Sequence, residues 1–195
     1  RMVRTAALVA LACCVPLSLA TGWRAGSVHL LAVGAAWGYN LGLKSTPWSW
    51  APYALSFGLL PAFVALALPG HPWPAGWAVA AAAMLGIGAH LANVVPDLDD
   101  DRSTGVHGLP HRLGRTASSL LAPAVLLTAT GLIVLGPAGG PSASAWPGLV
   151  AATAIAAIGA VVAFTRAGSR VPFYLTMAVA AVDVVLLVAA GTLLV

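Results

Sequence analysis

Long runs of apolar residues dominate the pattern along this chain, and short polar segments rich in glycine, proline and tryptophan separate them. An α-helix needs about 20 residues to cross the hydrocarbon core of a bilayer. In lipid such a helix satisfies its own backbone hydrogen bonds, and runs of this length do not suit the short strands of a barrel. We therefore predict seven transmembrane helices, at residues 5–22, 27–43, 51–68, 75–96, 117–135, 147–165 and 172–194.

The composition agrees with a membrane protein. Hydrophobic residues make up 60% of the chain and charged residues only 7%, whereas soluble domains carry about a quarter charged residues. The connections between the predicted helices are too short to hold a soluble domain. We expect an all-α polytopic membrane helix bundle that forms a single transmembrane domain over residues 1–195, with the lipid bilayer as its surroundings.

The positive charges predict the orientation of the bundle. With seven helices, Arg24 lies alone on one side, and all other basic residues fall on the opposite side: Arg1, Arg4, Lys44, Arg102, Arg112, Arg115, Arg166 and Arg170. Positive residues concentrate in cytoplasmic loops, so the loop after the fourth helix is expected to face the cytoplasm of a multi-pass cell-membrane protein. The net charge of +4 is explained in this way, and no nucleic-acid partner is expected.

Acidic residues concentrate in that same loop. The chain has no glutamate, and four of its five acids lie within residues 97–101. If the fourth helix continued through this segment, a step of 100° per residue would place its polar groups within an arc of roughly 80°, with Asp100 beside it and Pro96 producing a kink. The groups on that arc are His90, Asn93, Asp97 and Asp101.

Carboxylates one turn apart repel each other unless a cation lies between them, and oxygen ligands favour hard ions such as Mg²⁺. We therefore predict Asp97 and Asp101 as catalytic metal ligands, with Asp100 as a third ligand. Mg²⁺ completes its shell with water and phosphate, and the cations expected to bind the phosphate charge are Lys44, Arg102 and Arg112. Two alternatives remain open: a merely solvated acidic loop, and cations that only anchor the loop to the membrane surface.

Asp183, the fifth acid, falls in the middle of the last predicted helix. An unpaired aspartate there costs about 2.5 to 3.5 kcal/mol to insert, so its side chain is expected to face the interior of the protein. It would either form a hydrogen bond between helices or line a cavity.

Two segments resemble a known family. The aspartates at residues 97–101, followed by Gly105 and the run from Gly108 to Gly114, resemble the second aspartate motif of the UbiA-type intramembrane prenyltransferases, and the segment from Tyr39 to Lys44 resembles a tyrosine and lysine segment of that family. The resemblance implies a nine-helix fold of which this chain supplies helices three to nine. The two N-terminal helices and the first aspartate motif would then be missing, and the chain need not be active alone.

The resemblance also implies an activity. It is the Mg²⁺-dependent transfer of a prenyl group from a prenyl diphosphate to an aromatic, quinone-precursor or other lipophilic acceptor. The substrate chamber would be lined by Asn93, Tyr39 and His90. Other readings are a prenyl-diphosphate cyclase or lyase, which needs no acceptor, a transporter, and a nonenzymatic membrane subunit if the chain is complete as given. The sequence shows no internal repeat of the kind that transporters use.

Overall fold

The computed structural model describes residues 2–166 and 169–193. Arg1 and the expected end of the last helix at residue 194 lie outside this range. The described residues form two short 3-10 turns, at Leu43–Ser45 and Gly191–Leu193, and nine α-helices: α1 Met2–Leu19, α2 Trp23–Leu41, α3 Ala51–Ala67, α4 Gly76–Val94, α5 Leu98–Ser103, α6 Leu109–Leu113, α7 Arg115–Leu135, α8 Ala145–Thr165 and α9 Val171–Ala189.

Seven of these helices are long, and they lie where the seven apolar runs predict them. Their ends differ from the predicted ends by four residues or fewer, except that α9 ends at Ala189. Within the described residues, α1, α4, α7, α8 and α9 are both long and apolar enough to cross a membrane, and α3 is an apolar helix one residue shorter than α1. The helix α2 is long enough but less apolar. The predicted all-α membrane bundle is confirmed.

The long helices pack mainly in chain order. The helix α4 lies between α3 and α7, α2 packs on α3, and α8 and α9 pack on each other and on α7. Small residues permit close approach between spans. A Cβ on Gly88 of α4, for example, would collide with Leu126 of α7. The principal core cluster joins α4, α7, α8 and α9 through Leu85, Leu126, Ala129, Ala152, Ala156 and Val179.

Contacts between loops support the expected alternation of the chain across the bundle. Gly108, in the connection between α5 and α6, packs against Lys44, which follows α2. Arg115 at the start of α7 lines a small cavity together with Arg166 at the end of α8. These segments therefore share one end of the bundle. The side of the membrane that this end faces stays a prediction.

Asp183 faces the interior, as predicted. Its side chain is fully buried, and its Oδ1 accepts a hydrogen bond of 2.6 Å from the hydroxyl of Thr130 in α7. This bond links α9 to α7 inside the bundle, and Oδ2 has no partner among the described residues. Of the two roles considered from the sequence, the geometry favours the structural one.

Candidate active site

The expected continuous helix through the aspartates is wrong from residue 95 onwards. The helix α4 ends at Val94, residues 95–97 form a turn, and α5 begins after Asp97. Pro96 explains the break, because proline has no N–H with which to continue the helical hydrogen bonds. The break separates His90 and Asn93, which lie in α4, from Asp97 and Asp101, and within α4 Asn93 is exposed whereas His90 is 1% exposed.

Asp97 and Asp101 nevertheless keep a helical spacing. The N–H of Asp101 donates to the carbonyl of Asp97 at 2.8 Å, so the two residues lie one turn apart. Asp97 and Asp100 are exposed, and within the described residues neither carboxylate has an ion-pair or hydrogen-bond partner. The described residues contain no group of three His, Cys, Asp or Glu side chains placed to hold a metal ion. The metal-binding role of Asp97, Asp100 and Asp101 therefore stays a prediction.

Asp99 behaves differently from its neighbours. One of its oxygens lies 3.5 Å from Arg102, and the other accepts a bond of 3.1 Å from Arg115. Arg115 also donates to the carbonyl of Val95 at 2.8 Å, which closes the turn between α4 and α5 onto α7. Exposed ion pairs contribute little to stability. They occupy the carboxylate of Asp99 without adding much to the stability of the loop.

The arginines predicted to bind diphosphate also bind the loop itself. Arg102 donates to the carbonyl of His111 at 3.2 Å, and Arg112 donates to the carbonyl of His107 at 3.2 Å. Each keeps further N–H groups, so a diphosphate role remains a prediction for both. Lys44 is half-buried, and its ammonium has no ion-pair partner among the described residues. Of the three predicted cations, Lys44 is the one whose charged group makes no ion pair or hydrogen bond within the described residues.

The helix α6 is anchored to the bundle by close contacts. A Cβ on Gly108 would lie 2.5 Å from the carbonyl oxygen of Lys44, so only glycine permits this approach. The N–H of Leu109 donates to Oγ of Ser49 at 2.9 Å, and that same oxygen lies 3.0 Å from Nε2 of His90. Ser49, fully buried, thus joins the loop to α4. Sequence reasoning missed it, because a lone serine between two tryptophans carries no local signal.

An aromatic layer surrounds His90. It lies further into the bundle than the hydrogen bonds of Ser49. The centroid of the His90 ring lies 4.9 Å from that of Tyr53 and 5.8 Å from that of Tyr39. Both tyrosines line a cavity of about 370 Å³ between α2 and α3, together with Phe57. Tyr39 and His90 are thus in contact, but neither His90 nor Asn93 is among the residues that line this cavity, and a substrate chamber formed by the three residues stays a prediction.

Phe57 also lines a second cavity. The second cavity, also about 370 Å³, is almost entirely apolar and lies between α3, α4 and α9. It extends from Phe57 to Leu68 along α3, a distance of about 16 Å at the helical rise of 1.5 Å per residue. We call these two spaces the tyrosine cavity and the apolar cavity.

His111, in α6, is a second residue that sequence reasoning did not single out. Its Nε2 lies 3.3 Å from Oδ2 of Asp101, and its side chain is 3% exposed compared with 34% for the aspartate. Burial lowers the pKa of His111, and the attraction of Asp101 opposes this only in part. The ring is therefore expected to be neutral at physiological pH.

Comparison with known proteins agrees with this architecture. The family model described as the UbiA prenyltransferase family matches residues 1–177. The bacteriochlorophyll synthase 33 kDa chain of Cereibacter sphaeroides is 34% identical over 130 residues, and that of Rhodobacter capsulatus is 32% identical over 142 residues. Each match covers 60% of this chain, which spans 43% of the length of either relative. No solved structure matches the chain.

Proposed function

The chain belongs to the UbiA prenyltransferase family, and from this premise we propose that it transfers a prenyl group from a prenyl diphosphate to a lipophilic acceptor. The observation that carries the proposal is the position of the polar aspartates relative to the two cavities. Two carboxylates one helical turn apart lie on the loop that is bonded through Ser49 to His90 in the aromatic layer, and two cavities that share Phe57 lie along α3.

The polar end suits the diphosphate of the substrate. Asp97 and Asp101 offer two oxygen ligands, which fits an Mg²⁺ ion that takes the rest of its shell from water and phosphate oxygens. When bound, Mg²⁺ would stabilise the negative charge that develops on the departing diphosphate. Lys44 lies on the neighbouring segment, and its ammonium is free to bind a phosphate oxygen. Arg112 and Arg102 supply further positive charge beside the aspartates.

The apolar end suits the isoprenoid chain. The tyrosine cavity would hold the first part of the chain, and the apolar cavity, lined by side chains such as Leu60, Val64 and Leu187, would hold the remainder. Burying a hydrocarbon chain against such a surface is favourable by about 25 cal/mol for each Å² removed from water. The same burial keeps water away from a reactive carbon centre.

The reaction breaks the bond between C1 of the prenyl group and the diphosphate oxygen, and the diphosphate leaves with the bonding electrons. A nucleophilic carbon or oxygen of the acceptor supplies the electron pair for the new bond to C1, and the acceptor then loses a proton. The rings of Tyr39 and Tyr53, which line the tyrosine cavity, would face the developing positive charge, and aromatic faces attract cations. The acceptor belongs to the aromatic, quinone-precursor or other lipophilic class, and a precursor of the bacteriochlorophyll type is included because of the relatives.

The test measures diphosphate release from a long prenyl diphosphate by the complete protein in nanodiscs, with Mg²⁺ or with EDTA. Asp97→Asn and Asp101→Asn are each expected to lower turnover by at least roughly 100-fold, because charge stabilisation in the transition state is lost. Asp99→Asn is the matched control, since this carboxylate pairs with arginines of the loop. It is expected to retain most of the activity.

Parallel reactions contain one acceptor of each class. A prenylated product that forms only with an acceptor supports a transferase. A cyclic or eliminated prenyl product formed without an acceptor would instead indicate a cyclase or lyase. Folded protein that shows no metal-dependent turnover with any acceptor would contradict an enzymatic role for this loop.

We also infer that the loop carrying the aspartates, residues 95–114 (the aspartate loop), faces the cytoplasm, because Lys44, Arg115 and Arg166 lie at the same end of the bundle as this loop and Arg102 and Arg112 belong to it. A single cysteine at exposed Ser103, in a background without Cys13 and Cys14, would report the orientation in intact cells. A membrane-impermeant maleimide should label it only after the cells are opened. Labelling in intact cells would place the loop outside.

A further inference from the structure

The imidazole of His111 is buried without a satisfied hydrogen bond. Neither of its ring nitrogens has a hydrogen-bond partner among the described residues, although Nε2 lies 3.3 Å from Oδ2 of Asp101. This distance is slightly longer than an ordinary N–H···O bond, which measures 2.7 to 3.2 Å. Buried polar atoms in native proteins nearly always have partners. An imidazole in this position therefore calls for a partner, and the oxygen of Asp101 is near enough to become one.

His111 belongs to a short helix that is bonded to the bundle. The helix α6 is held by the bond from the N–H of Leu109 to Ser49 and by the close approach of Gly108 to Lys44. In addition, Arg102 donates to the carbonyl of His111 itself. Asp101 lies within α5, and its side chain is 34% exposed compared with 3% for His111. The buried imidazole thus lies beside a carboxylate that has no other side-chain partner among the described residues.

From this geometry we propose that His111 is a positioning residue. The Nε2–H of its ring donates to Oδ2 of Asp101 and so orients that carboxylate for binding the metal ion. The proposal rests on the function proposed above for Asp101. Bonds in such sites are often long before the ligand binds and tighten when it does. Partners of this kind, one step removed from the metal, typically contribute 10- to 100-fold to metal affinity.

Two substitutions separate this role from simple packing. His111→Gln keeps an N–H donor near the position of Nε2, whereas His111→Leu fills similar space without any donor. The positioning role predicts that His111→Leu weakens metal binding by about 10- to 100-fold and that His111→Gln recovers most of the loss. His107→Leu is the matched control, because His107 is an exposed histidine of the same loop.

The measurement is the direct binding of Mn²⁺, used as a paramagnetic probe, to the complete protein in nanodiscs that contain inorganic diphosphate. Free Mn²⁺ is followed by electron paramagnetic resonance, so the readout does not depend on turnover. Thermal unfolding of each variant, measured without metal, shows whether its fold is intact. We expect tight binding by the wild type and His107→Leu, slightly weaker binding by His111→Gln, and much weaker binding by His111→Leu.

Asp101→Ala distinguishes failure of this inference from failure of the proposed function. If Asp101→Ala binds Mn²⁺ as the wild type does, the metal site itself is misplaced. If Asp101→Ala abolishes binding but His111→Leu leaves it unchanged, the positioning role alone is refuted. Equal losses in His111→Leu and His111→Gln would also overturn it, because the effect would then come from the shape of the side chain and not from its N–H.

Discussion

Replacing Ser49 with alanine removes one hydroxyl that two other groups share. Its oxygen accepts the N–H of Leu109 at 2.9 Å and lies 3.0 Å from Nε2 of His90. A hydroxyl has a single proton, so both contacts are satisfied together when Ser49 accepts from Leu109 and donates to His90. Alanine offers neither function. The substitution therefore leaves a main-chain donor and a buried ring nitrogen without partners at once.

The expected cost follows from these two groups. Each buried polar group left unpaired costs about 1–3 kcal/mol. The ring nitrogen belongs to a fully buried histidine, whereas the Leu109 amide lies nearer the surface, where water can replace part of the lost bond. We therefore expect Ser49→Ala to destabilise the packing of α6 on the bundle by about 2–4 kcal/mol. A decrease of about 2–4 kcal/mol in the free energy of local opening corresponds to roughly 30- to 700-fold faster exchange of the Leu109 amide.

Hydrogen exchange measured by mass spectrometry on peptides covering residues 104–113 tests this directly, and detergent-induced unfolding supplies the global stability. Ser27→Ala is the matched control, because its hydroxyl bonds only to the carbonyl of Trp23 within the same helix and is exposed. That change should shift stability by no more than about 0.5 kcal/mol. If Ser49→Ala and Ser27→Ala gave the same exchange and stability, the loop would not be held through this hydroxyl.

Two further outcomes are expected. Thr130→Val should lower the free energy of unfolding by about 1–3 kcal/mol, since it removes the hydroxyl that bonds to buried Asp183. Thr130→Ser keeps the hydroxyl and should keep the stability. Equal unfolding curves for the two variants would contradict this. Phe57→Ala should raise the ratio of kcat/KM for long prenyl diphosphates to kcat/KM for short ones by about tenfold, because Phe57 stands between the tyrosine and apolar cavities. Phe63→Ala, whose ring stacks on His29 elsewhere, should leave the ratio unchanged, and the same ratio in both variants would show that the cavities do not act as one chamber.

The long helices were predictable because their signal is local and long. A run of 17 or more apolar residues can satisfy its backbone in lipid only as a helix, and no contact with the rest of the chain is needed to infer it. The interior position of Asp183 follows from the same argument, since its carboxyl group cannot face lipid. The identity of its partner, Thr130, does not follow, because that partner is separated from it by 53 positions in the chain.

The fold of the aspartate loop was not predictable in the same way. The helices α5 and α6 contain six and five residues, too few for a reliable periodic pattern, and isolated helices of this length are unstable in water. They are held by bonds to distant positions: Ser49 is 60 residues from Leu109 and 41 residues from His90. The kink expected at Pro96 was correct in place but is a full break, which separates His90 and Asn93 in α4 from the aspartates.

The way in which charged side chains pair within the loop tests the alternative that the loop is only a solvated acidic segment. Four aspartates close together repel each other, and a loop built merely to meet water could neutralise them with its nearby arginines. The structure pairs Asp99 with two of these arginines, while the other bonds made by the arginines go to main-chain carbonyls. Among the described residues, Asp97 is exposed and has no ion-pair partner, and Asp101 lies one turn away beside His111. Because no arginine pairs with either carboxylate in this part of the chain, both stay available for a cation from solution, and this favours a metal site over simple solvation.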